Sequence, residues 1–335
     1  MKILFIGDPH IKTDNHEEID ILIRELQKIC ESNHIDHIII GGDLMHYHER
    51  IFTQALNKSL EFVTFLSTFA PVYILVGNHD MINNQQFLTS NHWLNVFSHY
   101  KNVKIVEKPI VLREKEKPDS MFTFLMCPYV YPGRFIEAIE TVSKDWKSYN
   151  IIFAHQEFKG CKMGAIVSKD GDEWSEEFPQ IISGHIHDNQ TPQKNIYYPG
   201  SPLQHAFGDT DKRVVCIVDE KGIITNIDLD VPKKTIIKKT VSDISKVNMT
   251  DLHSHLKIKL TATPEEFKAF KQTQQYKECI EKGVKIQLDA KPIKRDESSN
   301  VIEQTNFRLL LQNLVETDGD SLLKKIYMDI LSSSL

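Results

Sequence analysis

Five short motifs carry side chains that could hold cations and move protons. They are Asp8-Pro9-His10, Gly42-Asp43, Gly77-Asn78-His79-Asp80, His155-Gln156 and Gly184-His185-Ile186-His187. Carboxylates, a neutral amide oxygen and several imidazoles are the donors that a two-cation hydrolytic centre needs, with a position left open for water and substrate. Asp43 closes an apolar run and is the natural bridging carboxylate. Asp8 and His10 are two residues apart, so they share a side if strand geometry continues, and His185 and His187 repeat that spacing. Asn78 supplies a carbonyl oxygen. His79, beside it, would point elsewhere, which makes it a candidate general acid and not a ligand. Two cations held this way bring the pKa of a bridging water toward neutrality and stabilise charge on phosphoryl oxygens. The chemistry expected is hydrolysis of phosphate esters.

Each motif alone has an ordinary reading. Asp-x-His is usually a turn, Gly-Asp after a strand a helix cap, and His-x-His a pair satisfying backbone groups. Their joint occurrence, in this order and each at the end of an apolar run, favours the cation site.

The elements that would position these residues alternate in the first half. Ile3–Ile6 is a short apolar run, and Ile19, Leu22, Ile23, Leu26 and Ile29 recur at helical spacing over roughly Glu17–Glu31. Ile38–Ile40 reads as a buried strand, Phe52–Phe69 as a helix stopped by Pro71, and Val72–Val76 as a third strand. Two such units predict parallel pairing. Further strands are expected at Val103–Val106, Met121–Met126, Ile151–Ala154, Gln180–Ser183, Asn195–Tyr198, Arg213–Val218 and Ile223–Leu229, with a helix near Phe135–Lys147. Glu157–Pro179 reads as a long loop. A linker is expected over Val231–Thr250. A strand at Leu256–Leu260, a helix from Pro264 to about Glu281, capped by Thr263, and a strand at Val284–Leu288 would follow. Lys291–Asn300 reads as a polar segment, and Phe307–Leu331 as helical with a break at Asp318-Gly319-Asp320. This divides the chain into a body at 1–232, a small basic unit at 233–300 and a helical segment at 301–335.

The 335 residues are 41% hydrophobic and 26% charged, which suits a globular chain of more than one unit. No apolar run approaches the ~20 residues that span a bilayer, so no membrane association is expected. Cys30, Cys127, Cys161, Cys216 and Cys279 are odd in number and lack metal spacing, which suggests a reducing compartment, cytoplasmic or nuclear. Net charge is −6. Its distribution is uneven: residues 233–300 hold 15 Lys and Arg against 9 Asp and Glu, whereas 1–232 hold 22 against 32. An acidic body with a basic appendage fits cations in the first and a phosphate backbone against the second, although a solvated lysine face has the same composition.

The five motifs resemble those of the calcineurin-like metallophosphoesterase superfamily, D-x-H, G-D, G-N-H-D, H and G-H-x-H. Within it the chain is most similar to the SbcD-type recombination-repair nucleases and their phage and viral relatives. His46 lies three residues after Asp43, as in that branch; His155 is followed by Gln156; and Tyr198-Pro199-Gly200-Ser201-Pro202 with Phe207-Gly208-Asp209 resembles its post-motif segment.

That resemblance implies an α/β fold of two packed sheets flanked by helices, a four-layer αββα sandwich, with a small α+β capping domain. It implies two divalent ions, Mn2+ before Mg2+, one on Asp8, His10, Asp43 and His187 and the other on Asp43, Asn78, His155 and His185. His79 would protonate the leaving group and His46 would position the phosphate. The activity implied is DNA exonuclease with single-strand endonuclease, the partners DNA, an SMC-like ABC ATPase of the SbcC type and a second copy of the chain. Lys257, Lys259, Lys268 and Lys271 of the basic unit are the expected phosphate contacts. In the C-terminal segment Leu310, Leu314, Leu323, Ile326 and Ile330 could meet the ATPase or pack on the chain itself. Two other readings stand: a small-molecule phosphodiesterase on the same centre, and a scaffold subunit for the ATPase.

Overall fold

Strands made only of apolar residues need cover on both faces, and the computed structural model supplies it. It describes residues 1–117, 120–246, 254–290, 314–317 and 321–332. One six-stranded sheet runs β14 (Ile224–Asp228), β13 (Val214–Asp219), β1 (Lys2–Ile6), β2 (His37–Ile40), β3 (Val72–Leu75) and β4 (Val103–Val106). β1 to β4 are parallel, as the strand–helix alternation predicts, and β13 returns antiparallel beside β1. The other runs β11 (Gln190–Gln193), β12 (Ile196–Tyr198), β10 (Gln180–Gly184), β7 (Ile151–His155), β6 (Ser120–Cys127) and β5 (Ile110–Lys117). Its four inner strands are parallel.

Alternate residues of each strand serve different layers. Ile3 and Phe5 of β1 point between the sheets, against Phe153 and Ile182 of β7 and β10, with Phe5 stacked on Phe153. Leu4 and Ile6 point outward, to the core shared with α1 (His16–Ser32) and α2 (Thr53–Leu66). α1 turns Ile19, Leu22, Leu26 and Ile29 inward, the residues whose spacing marks the helix. The outer face of the second sheet is closed by α3 (Phe135–Glu140) with Phe158, Trp146 and Trp174. The result is the expected αββα sandwich.

Several elements depart from the sequence reading. Residues 231–250 are not simply a linker: Lys233–Thr240 is β15, paired parallel with β16 (Ser254–Ala262) from Lys233↔Ser254 to Thr240↔Thr261. Its order comes from that partner, which local pattern does not reveal. The helix expected to Glu281 is two helices, α4 (Pro264–Phe270) and α5 (Gln274–Glu281). Thr263 and Glu266 form a capping box on α4, and the Thr273 hydroxyl caps α5. β17 (Lys285–Ala290) completes a three-stranded sheet with its own core of Ile258, Leu260, Phe270, Cys279 and Val284. The long loop at 157–179 contains a hairpin, β8 (Lys162–Met163) with β9 (Ile166–Val167). The helix near Phe135 stops at Glu140 and is followed by a separate turn at Trp146–Ser148. β5 went unread because its Arg113-Glu114-Lys115 run shows no apolar alternation; pairing with β6 orders it.

Residues Met1–Asp289 form one compact unit, in which His255 and Lys234 of the small sheet both meet Glu18 of α1, at 2.7 and 3.3 Å. The remaining unit contains the helix Ser321–Ser332. Residues 291–313 and 318–320, with Leu310 and the expected break, lie outside the described residues. All five cysteines are buried and none is disulfide-bonded. Among the described residues no helix is long and apolar enough to cross a membrane.

Candidate metal centre

The seven expected ligands come together where parallel strands of the two sheets end. Asp8, Asp43 and Asn78 follow β1, β2 and β3, His155 is the last residue of β7, and His185 follows β10. Two glycines allow the approach. A Cβ on Gly77 would lie 2.2 Å from Asp43 Oδ1, and one on Gly184 would lie 2.4 Å from Asp8 Oδ1.

Strand alternation is not what pairs Asp8 with His10 or His185 with His187. β1 stops at Ile6 and β10 at Gly184, so the spacing argument fails. Turns do the work: His10, Asp43 and His185 have φ of 44°, 49° and 80°, left-handed conformations that non-glycine residues adopt at a cost and that cluster at functional sites.

Around Asp43 one donor group is assembled. Asp43 Oδ1 accepts from the His79 backbone N–H at 2.8 Å, while Oδ2 lies 3.4 Å from His155 Nε2 and 3.6 Å from His10 Nε2. Asn78 Oδ1 is 3.0 Å from His155 Nε2 and 2.9 Å from His185 Nδ1. His155 Nδ1 donates to the Gly41 carbonyl at 2.6 Å, which turns Nε2 toward Asp43 and Asn78. A fixed outer nitrogen of this kind is how ligating imidazoles are oriented. The second group holds His10 Nε2 and His187 Nε2, 2.9 Å apart. Asp8 Oδ1 accepts from the His185 backbone N–H at 3.0 Å, but its Oδ2 is buried with no hydrogen-bond partner. An orphaned carboxylate oxygen beside converging imidazole nitrogens fits a cation, and the two groups together fit two.

Charges are tuned to match. Burial, then neighbouring imidazoles such as His205, holds His10 well below the ordinary imidazole range, and burial lowers His187 too, so both rings are neutral donors. Asp43 stays well below the carboxylate range: burial opposes this, but His155, His10 and His79 outweigh it. Burial likewise opposes charge on His155, yet Asp43 and Asp8 raise it. Asp80, buried beside Asp43 and bonded by the Gly77 N–H and Trp93 Nε1, is pushed up to about 7.

His79 and His46 sit at the edge of this group. His79 Nδ1 donates to the His46 carbonyl and its Nε2 lies 4.0 Å from Asp43 Oδ2, so one nitrogen is fixed and the other faces the centre. His46 Nδ1 is 3.3 Å from His10 Nδ1, and burial lowers its pKa to about 4. With a cation on His10 Nε2, the proton of His10 lies on Nδ1 and donates to His46. His46 would then orient the His10 ring.

Two imidazoles escaped the sequence reading. His48 stacks on His79 with ring centroids 4.2 Å apart, and His205 lies 4.7 Å from His10 and 4.9 Å from His187. A second histidine two after His46, and one four after Ser201, were the available signals. Gln156, in contrast, turns away from the centre: it bonds Asp172 Oδ2 at 2.6 Å and the Val130 N–H at 3.2 Å. Lys257 and Lys259 share one face of β16, opposite buried Ile258 and Leu260, and Lys257 Nζ is 6.0 Å from the Phe207 ring. Lys285 Nζ approaches the same ring at 5.6 Å. Lys268 and Lys271 are exposed on and after α4, and Lys271 lies over Phe267.

Comparison with known proteins agrees with this geometry. The family model described as calcineurin-like phosphoesterase matches residues 1–189. The phosphoesterase-named protein 078R of Invertebrate iridescent virus 3 is 39% identical, over 99% of this chain and 97% of its own length. Its counterpart 244L of Invertebrate iridescent virus 6 is 46% identical, over 81% of this chain and 97% of its own. Among solved structures, the Plasmodium inner-membrane-complex anchor GAP50 overlaps 69% of this chain and 85% of that one, with a TM-score of 0.44 at 11% identity.

Proposed function

This chain belongs to the calcineurin-like phosphoesterase family, and we propose that it is a DNA nuclease of the SbcD type, working with two divalent cations. One observation carries the choice of a polymeric substrate. The lysine-bearing small sheet packs against the metal-bearing body, with Lys257 and Lys285 over Phe207, two residues from an imidazole of the centre. A phosphate backbone could run from those lysines to the centre, whereas a small diester would need no such face.

In this reading Asp8, His10, Asp43 and His187 hold one cation, and Asp43, Asn78, His155 and His185 the other. Held there, divalent cations would supply Lewis acidity toward a water and toward phosphoryl charge. The side chains do the rest. His155 and His10 are held in one tautomer by Gly41 and His46. His79, anchored through Nδ1, presents Nε2 to the leaving oxygen and gives it a proton. A centre this rich in imidazole favours a transition ion over Mg2+, and Mn2+ is the one the resemblance implies. The partners in this reading are an SMC-like ATPase of the SbcC type, which could meet the exposed Ile326 and Met328 of the helix Ser321–Ser332, and a second copy of the chain.

A small-molecule phosphodiesterase is the second reading. It is favoured by a cavity of about 340 Å³ beside Asp80, lined by Tyr47, Ile51, Met81 and Trp93. That volume lies in the range of ligand pockets.

The test is cleavage of end-labelled duplex and single-stranded DNA by purified protein, with Mn2+, Mg2+ or chelator, beside a cyclic-nucleotide substrate. DNA loss that needs Mn2+ and falls by about 10²–10⁴-fold in His79→Ala is the expected result. Hydrolysis of the small diester with intact DNA would move the chain to the second reading.

A further inference from the structure

We propose that His205 is an additional ligand to the cation held by His10 and His187, giving that position three imidazoles and a preference for transition ions over Mg2+. This rests on the reading of the centre as a divalent-cation site.

The observation is a second convergence on top of the expected ligands. The rings of His10, His187 and His205 lie 4.7 to 4.9 Å apart, centroid to centroid, each edge to face with the other two. Each offers a ring nitrogen within 4.8 Å of those of the other two. The gathering crowds nitrogen against nitrogen, with His10 Nε2 and His187 Nε2 at 2.9 Å, the separation of two donors on one ion. A shared cation satisfies them together.

The turn that carries His205 is built to hold it. Asp209 Oδ2 accepts from the backbone N–H groups of His205 and Ala206 at 2.7 and 3.0 Å. The ring is fixed through Nε2, which lies 2.9 Å from Ser201 Oγ and 3.3 Å from the carbonyl of Asp8, itself an expected ligand residue. Ser201 is tied in turn to the His187 carbonyl through its N–H at 3.0 Å. The loops bearing Asp8, His187 and His205 are thus bonded to one another, and moving any one of them disturbs all three.

The chemical consequence is selectivity. Oxygen donors and water suit Mg2+, while imidazoles suit the later first-row ions such as Fe2+, Ni2+ and Zn2+, and affinity for a nitrogen-rich site rises along that row from Mn2+. Exchanging a water for a third imidazole moves the His10–His187 position toward the second group. Among the described residues the position shared by Asp43, Asn78, His155 and His185 gathers no third imidazole, so the two cations would differ in affinity.

The experiment is a Mn2+ titration of the full chain by electron paramagnetic resonance and calorimetry, with Co2+ visible absorption as a report on ligand nitrogen. Wild type, His205→Ala, His205→Gln and His79→Ala are compared, with circular dichroism and melting to check folding. Wild type should bind two ions. Both His205 variants should lose about 10–100-fold in affinity at one of them, shift the Co2+ spectrum and bind Mg2+ as before. His79→Ala should match wild type. Unchanged Mn2+ isotherms and Co2+ spectra in folded His205→Gln would overturn the proposal. If KM for substrate then rose, His205 would be a substrate contact instead. A wild type that binds no divalent ion would overturn the underlying reading of the centre as well, a result distinct from loss of selectivity alone.

Discussion

Single atoms decide whether this centre exists. Gly77 has no room for a side chain: a Cβ there would lie 2.2 Å from Asp43 Oδ1 and 2.4 Å from the Asp43 backbone nitrogen. Backbone cannot step aside as a flexible side chain can, so Gly77→Ala should cost about 2–3 kcal/mol and abolish Mn2+ binding, read by thermal melting and by titration. His46 makes a pH prediction. Burial holds its pKa at about 4, against 6.5 for an ordinary imidazole. The folded state therefore favours the neutral ring, and that contribution is present above pH 6.5 and lost as pH falls from 6.5 through 4. In chelator-treated protein, urea midpoints at pH 7.5, 6 and 4.5 should fall less steeply for His46→Gln than for the parent. Comparing the two cancels His155, whose raised pKa acts in the opposite sense. A parallel fall in both would show that His46 does not govern the acid limb.

At the scale of elements, the strand ends are held in register by a buried cation of the chain itself. Arg213, just before β13, donates from Nη1 to the carbonyls of His187, Ser201 and Leu203 at 3.0, 3.1 and 3.2 Å. Arg213→Met takes a donor from the Ser201 and Leu203 carbonyls and leaves the His187 carbonyl with the Ser201 N–H alone. It should lower stability by about 3 kcal/mol and weaken the ion at His187 with little effect on the other, measured by melting and by Mn2+ titration. This bond, like much of the centre, was invisible before the fold was known. What could be read was whatever depends on nearest neighbours: the apolar runs of β1, β2, β3, β7 and β10, the stripe of α1, the cap at Thr263 and the ligand types at strand ends. What could not be read depends on distant partners. β15 is ordered by β16, α4 and α5 are separated by a capping threonine inside a helical pattern, and His205 gains meaning only beside His10 and His187. Asp8 and His10 do reach one centre, but through a left-handed turn at His10 and not through the continuing strand that their spacing suggests.

At the scale of the whole molecule, charge separation and site placement make one prediction about substrate. If a phosphate backbone lies across the small sheet, Lys257→Gln with Lys285→Gln should weaken DNA binding evenly across sequences and reduce the slope of log affinity against log salt by about 2. Fluorescence anisotropy between 50 and 200 mM salt measures it, and an unaltered slope would remove this face from the DNA path. The proposed centre draws on distant parts of the sequence: its donors start at Asp8 and run to His187, or to His205 with the added ring, and they come from the ends of strands in two different sheets. A ribosome making this protein therefore releases the first sheet's donors long before β7 and β10 exist. A half-made chain, or one cut short before His185, holds a partial set of ligands and can hydrolyse nothing. On the proposed assignment the full donor set exists only once synthesis has passed the second sheet, so no shorter fragment carries it.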